Sequence, residues 1–297
     1  MSSSENIATA PRSRLFGESV MGDRIREFFR HTTGVTGLVI ILAFVVVSLL
    51  APVLAPYDAS RDRNLRERLN PPSAEHIFGT DELGRDLLIR VWHGGRISLR
   101  VGLIAVAVAV VVGTTLGMLA GYVGGWLDTI VMWFMDILLA FPGILLAIAI
   151  VATLGPSLTN AMIAISITQI PIYARIIRSV VLSLRESEYV QGARALGARP
   201  LRIVLRHVLP NSLSPIIVQL SLSIGVAILD VAALGFLGLG AQPPAPEWGL
   251  MIRDGFSQFL RAPWMSIFPG AAIFLSVVGF NLLGDAARDV LDPRLAE

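Results

Sequence analysis

"ESEYVQGARALGARPLRIVLRHVLPN", Glu186 to Asn211, carries four arginines and a histidine between two long apolar runs. From Glu186 to Leu196 good helix formers dominate, and Gly197 suits the left-handed residue that closes a helix. Pro200 then fits the first turn of a second helix, where its missing N–H costs nothing. That helix runs through "LRIVLRHV" and is predicted to stop at Pro210. Two short helices joined by a tight turn are too small to stand alone and need a surface to rest on. Two surfaces suit them: a partner protein, or anionic lipid headgroups that the arginines would also contact.

The surroundings of this elbow are membrane-like. The 297-residue chain is 54% hydrophobic and 15% charged, with a mean hydropathy of +0.69. A soluble domain carries about 25% charge. A hydrocarbon core about 30 Å thick needs roughly 20 apolar residues in helix. Six segments qualify: Val35–Leu54, Leu99–Tyr122, Ile130–Leu154, Leu158–Ile177, Leu213–Leu239 and Met265–Leu283. The first is too long, and preceded by too much polar sequence, to be a cleaved signal peptide. Pro142, Gly143, Gln169 and Pro171 interrupt the third and fourth. Such breaks mark either a bundle around a pathway or ordinary proline kinks. The fold expected is an all-α polytopic membrane protein with six transmembrane helices.

Arginine placement orients the spans. Arg12, Arg14, Arg24, Arg26 and Arg30 precede the first; Arg175, Arg178, Arg185, Arg194, Arg199, Arg202 and Arg206 crowd the fourth connection. The second and third connections carry none. Tail, elbow and C-terminus are therefore expected in the cytoplasm. The first connection also holds seven arginines (Arg61, Arg63, Arg66, Arg68, Arg85, Arg90 and Arg96), but long loops obey the rule less strictly, and it is placed outside.

Several chemistries are excluded. All 24 basic residues are arginine, so no Gly-Lys-Ser/Thr phosphate loop exists,. There is no cysteine, and the four histidines (His31, His76, His93, His207) show no metal-ligand spacing,. A net charge of +2 gives nucleic-acid binding no support,. No catalytic triad or paired-carboxylate set stands out. In "GTDELGRDLL", Asp81 and Asp86 flank Arg85; a salt-bridged cap over the second span is expected there, in preference to a cation or nucleotide site. Within the spans, Asp136 and Asp230 are costly in lipid. Asp136 reads as an interhelical partner. Asp230 reads equally as such a partner or, with Gln169, Gln219 and Asn281, as lining of a solvated pathway. Gly235, Gly238 and Gly240 permit tight packing near the outer mouth or form a hinge.

The elbow resembles the cytoplasmic loop of binding-protein-dependent ABC importer permeases, written Glu-Ala-Ala, three residues, Gly, nine residues, Ile, one residue, Leu-Pro. Gln191, Gly192 and Ala193 occupy its first positions, followed by Gly197, His207, Leu209 and Pro210. The chain departs from the pattern at Gln191, Gly192 and His207, with Glu188 one turn earlier as a substitute for the missing Glu. Three further blocks resemble the C-type permeases of dipeptide, oligopeptide, glutathione and nickel importers: "HIFGTDELGRDLLIRVWHGGRISL" (His76–Leu99), "AILDVAALGFLGLGAQPPAPEWGLMI" (Ala227–Ile252) and "FNLLGDAARDVLDPRL" near the C-terminus, with "DILLAFPGILLAIAIVA" between them.

That resemblance implies a type I ABC importer permease fold in a bacterial inner membrane. It divides the chain into a cytoplasmic tail at 1–33, a first span at 34–56 and an external connection at 57–98. A permease core follows at 99–285, with a coupling loop at 178–211, and then a cytoplasmic tail at 286–297. It implies a non-enzymatic subunit that binds no cofactor, ATP and Mg being held by two partner ATP-binding subunits that grip the loop. A homologous B-type permease, an external substrate-binding protein and a di- or oligopeptide complete the set. Nickel or glutathione import is the alternative cargo, though no span contains His and Met118, Met132, Met135 and Met162 are scattered. An ion-coupled secondary transporter using Asp136 and Asp230 is the rival class.

Overall fold

The computed structural model describes residues 26–58 and 61–291. Arg12, Arg14 and Arg24, most of the expected N-terminal tail and residues 292–297 of the C-terminal one lie outside them. The described chain is built from helices: α1 (Thr32–Leu54), α2 (Leu87–Val123), α3 (Gly125–Leu139), α4 (Gly143–Leu154), α5 (Leu158–Arg185) and α6 (Glu188–Ala195), then α7 (Pro200–Phe236), α8 (Trp248–Phe256) and α9 (Trp264–Leu291). Five of these are long and apolar enough to cross a membrane alone: α1, α2, α5, α7 and α9.

Small residues set the bundle. Gly113, Gly117 and Gly121 form a stripe along α2, and a Cβ on Gly117 would sit 2.4 Å from the Ala174 carbonyl oxygen of α5. Backbones this close make α2–α5 the most extensive helix pair, the packing expected where apolar lipid offers helices no hydrophobic drive to associate. Gly37 of α1 does the same against Gly279 of α9. The core of Leu99, Val106, Ile165, Tyr173, Ile228 and Phe280 lies between α2, α5, α7 and α9.

The third span differs from expectation. α3 and α4 meet at 91° across Ala140–Pro142, because Pro142 removes an N–H and holds an extended ψ of 128°,. Arg178 and Arg175 of α5 bond Asp128 and Asp136 of α3, while Asn160 at the start of α5 donates to the carbonyls of Leu154 and Gly155 that close α4. The pair thus runs beside α5 from Arg178 back to Asn160, and it makes a sixth crossing if its two arms count as one span. Pro171, in contrast, lies inside an unbroken α5.

Three expected boundaries are corrected. α2 begins at Leu87, twelve residues before Leu99, because the Asp86 carboxylate accepts from the Ile89 N–H at 3.1 Å and caps it,. α5 runs on to Arg185. Pro210 does not end its helix: residues Val204–Val208 widen into a π turn in which the Leu209 N–H reaches the Val204 carbonyl, and the chain continues to Phe236. The wide turn sits where the proline ring would strike the preceding turn of a regular helix.

The ends of the bundle can be matched. Gly34 of α1 lies against Ala286 of α9, and the Ser214 hydroxyl of α7 donates to the Leu291 carbonyl at 3.3 Å. The start of α1, the elbow and the end of α9 therefore share one side of the bundle.

Candidate functional site

The elbow forms as its sequence dictates. Ser187 precedes α6, its hydroxyl donating to the Leu184 carbonyl at 2.6 Å. At the far end Gly197 has φ +80°. Its N–H bonds the Arg194 carbonyl at 2.9 Å while the Ala198 N–H bonds that of Ala193 at 3.0 Å, a Schellman closure that needs a residue without a Cβ penalty. Pro200 then opens α7. Val190, Ile203 and Val208 are buried with Ile177, Val181 and Met118, and Ala193 and Leu209 pack against them. Tyr189 faces His207, ring centroids 6.1 Å apart, and the Asn211 amide donates to the His207 carbonyl at 2.6 Å. The Arg194 guanidinium lies 5.3 Å from the Tyr122 ring at the end of α2, a cation–π contact.

The other face of the elbow is uncovered. Leu196 is 89% exposed, Leu201 69% and Leu205 55%, and Arg199, Arg202, Arg206 and Pro210 are exposed with them. Cβ atoms at Gly192 and Gly197 would meet nothing within 4 Å. Of the sequence-selected residues, Gln191, Gly192, Ala193 and Gly197 come from one arm and His207, Leu209 and Pro210 from the other; the small apolar cluster brings the arms together. Gln191 turns back to donate to the Glu186 carbonyl at 3.0 Å, and Glu188 is exposed in the first turn of α6.

The four residues selected as pathway lining lie on three helices, Gln169 on α5, Gln219 and Asp230 on α7 and Asn281 on α9. Gln169 is buried on α5. Gln219 is half-buried and donates to Ser223 at 3.1 Å. Asp230, also half-buried, lies eleven residues further along α7, about 20° around the helix from Gln219 and about 16 Å along its axis. Asn281 is exposed on α9 opposite Gly225. Asp136 pairs with Arg175 at 2.5 Å, the interhelical role expected for it. The neighbouring bidentate pair of Asp128 with Arg178, at 2.5 and 2.6 Å, was not anticipated, since fifty residues separate the partners.

At the opposite end, the "GTDELGRDLL" block forms the expected cap. Asp81, 1% exposed, accepts from Arg85 at 2.6 Å and Arg90 at 2.5 Å. The His76 ring bonds Asp86 at 2.9 Å, and that bond, opposed by burial, holds the imidazole pKa above its usual 6.5. Glu67 and Glu75 lie near His76 as well, within reach of a common cation, but one imidazole nitrogen is already engaged by Asp86. Helix α8, unforeseen in the sequence reading, is wedged in beside the cap. Its N-cap Glu247 is buried and accepts from the Gly249 and Leu250 N–H groups at 2.8 Å and from Ser98 of α2 at 3.1 Å; burial nevertheless pushes its carboxyl pKa up. Gly235 and Gly249 allow α7 and α8 to touch backbone to backbone, and Gly240 lets the following loop fold back onto Gly235, the packing role foreseen for Gly235 and Gly240.

Comparison with known proteins agrees with this geometry. Residues 113–297 match the family described as binding-protein-dependent transport system inner membrane component. Residues 19–72 match the N-terminal TM domain of oligopeptide transport permease C. The chain is 50% identical to the dipeptide transport system permease protein DppC of Alkalihalophilus pseudofirmus, over 96% of this chain and 93% of that one. It is 46% identical to the glutathione transport system permease protein GsiD of Escherichia coli O6:K15:H31, over 91% and 89%. Among solved structures, the inward-facing MetNI methionine ABC transporter shares the fold, with a TM-score of 0.55 at 18% identity, covering 69% of this chain and 95% of that one.

Proposed function

Because the chain belongs to the binding-protein-dependent transport system inner membrane components, we propose that it forms one half of the transmembrane pathway of an importer of short peptides, driven by ATP on other subunits. The elbow at 186–211 is where an ATP-binding subunit takes hold. The observation that carries this reading is the uncovered face of Leu196, Leu201 and Leu205 among arginines, on two arms that run directly into spans α5 and α7. Relatives named for dipeptide and for glutathione, itself a short peptide, support the cargo. The elbow, the start of α1 and the end of α9 face the cytoplasm, as their arginines favour.

The transport cycle in this reading is alternating access. When two ATP-binding subunits close on ATP and Mg, the elbow of this chain and that of a homologous B-type permease move with them. α7 is a continuous rod of 37 residues, about 55 Å long, so displacement at its base reaches Phe236 and the wedged α8. The outer mouth then opens to a peptide delivered by an external binding protein, and hydrolysis resets it. Gln219, Asp230 and Asn281, which the chain leaves at least partly open, offer polar surface along the route, while Gln169 is buried. On this reading ATP and Mg are held by the partner subunits, and this chain is the moving part.

The test is uptake of a labelled dipeptide into proteoliposomes holding the tagged complex and its binding protein. ATP inside the cytoplasmic compartment should drive accumulation, and a proton or sodium gradient alone should not. Accumulation driven by an ion gradient without ATP would overturn the proposal.

A further inference from the structure

We propose that the groove between α1, α2 and the start of α5 is a binding site for a phospholipid of the outer leaflet, with Arg96 and Arg100 holding its phosphate. The groove encloses about 820 Å³ and is walled by Val45 and Leu49 of α1, Ile97 and Ile104 of α2, and Leu158 and Met162 of α5. Below Arg100 the apolar walls continue to Ile104, about 6 Å along the helix, which holds the first methylenes of an acyl chain while the rest runs on into the roughly 15 Å of the hydrocarbon leaflet.

The polar groups lie beside the start of α5, where Leu158 and Thr159 line the groove with Arg96 and Arg100. Arg96 and Arg100, one turn apart on α2, are exposed and have no ion-pair partner among the described residues. Tyr57 also lines the groove, and its buried hydroxyl has no hydrogen-bond partner among the described residues. Two unpaired guanidiniums at the outer edge of a span run against the usual placement of arginine, and a phosphate answers both by charge-assisted hydrogen bonds. A lipid is favoured over a protein occupant because one wall is α1, the most peripheral span. Only 22% of its apolar window is buried in the chain, against 39–44% for the other four. Assignment to the outer leaflet rests on the orientation proposed above; lipid capture itself does not.

The experiment is native mass spectrometry of the purified complex titrated with phosphatidylglycerol, with diacylglycerol and inorganic phosphate as separate probes. Wild type should retain phosphatidylglycerol, while neither diacylglycerol nor phosphate alone should bind comparably. Arg96→Gln with Arg100→Gln should weaken retention at least about tenfold, as loss of two charge-assisted contacts requires. Thr159→Trp, which fills the groove and leaves both arginines in place, should weaken it too. Undiminished retention in both variants would overturn the proposal. So would photo-crosslinking from position 100 that captures the second permease and no lipid, since the groove would then be a protein interface.

Discussion

Replacing Gly192 by arginine separates docking of the elbow from folding of the chain. The position is inside α6, and a Cβ there meets nothing within 4 Å. Within the chain the substitution is favourable, since glycine in a helix costs about 0.5–1 kcal/mol relative to better helix formers. Against a close-fitting partner it is not. Overpacking of a filled contact costs about 1–3 kcal/mol, and a buried charge without a counterion costs several more. At about 1.4 kcal/mol per factor of ten, affinity for the ATP-binding subunit should fall at least about a hundredfold. The assay is co-purification of that subunit with the tagged chain, together with peptide-stimulated ATP hydrolysis. The variant should insert and melt like wild type or slightly above it, yet bring down little ATPase and show no stimulation. Gly197, at φ +80°, is the poorer position for this purpose, because any side chain there also strains the turn. Full ATPase recovery and normal stimulation with Gly192→Arg would refute the docking assignment.

Three other outcomes are expected. Asp81→Asn removes the charge that the buried Arg85 and Arg90 share, leaving Arg90 only Asp254 at 3.9 Å, and should destabilise the cap by about 3–5 kcal/mol, read as faster proteolysis between residues 61 and 86. His76, whose native pKa is raised by Asp86, stabilises the cap fully below its unfolded pKa of about 6.5. That contribution disappears as pH rises through the native value, so proteolysis of the same segment should accelerate across that window in wild type and be flat in His76→Gln. Gly249→Ala would place a Cβ 2.1 Å from the Ala232 carbonyl oxygen and force α8 off α7; thermal stability should drop by about 1–3 kcal/mol, with peptide uptake lost.

Local chemistry made much of this legible in the sequence. The Gly197 closure and the Pro200 start depend on neighbours within a few residues, and hydropathy marks the spans because lipid admits little else. The cap was readable for the same reason, its acids and arginines lying within one short block. What was missed depends on distance. The continuation of α7 through Pro210 turns on a π turn that no propensity announces, and the Asp128–Arg178 pair joins residues fifty apart. α8 was hidden because it is held by Ser98 and by glycines of two other helices, and is too short to register as a span.

The sharp corner at Ala140–Pro142 has a consequence for the life of the newly made chain. Residues 140–143 are exposed, and so is the Asp136–Arg175 pair beside them. Irregular backbone and paired charges of this kind do not persist against hydrocarbon; they require protein or water beside them. An orphan copy, inserted before the second permease proposed above arrives, therefore displays a defect that membrane proteases can recognise. Pulse–chase labelling should show it short-lived when synthesised alone and durable when the companion is co-expressed.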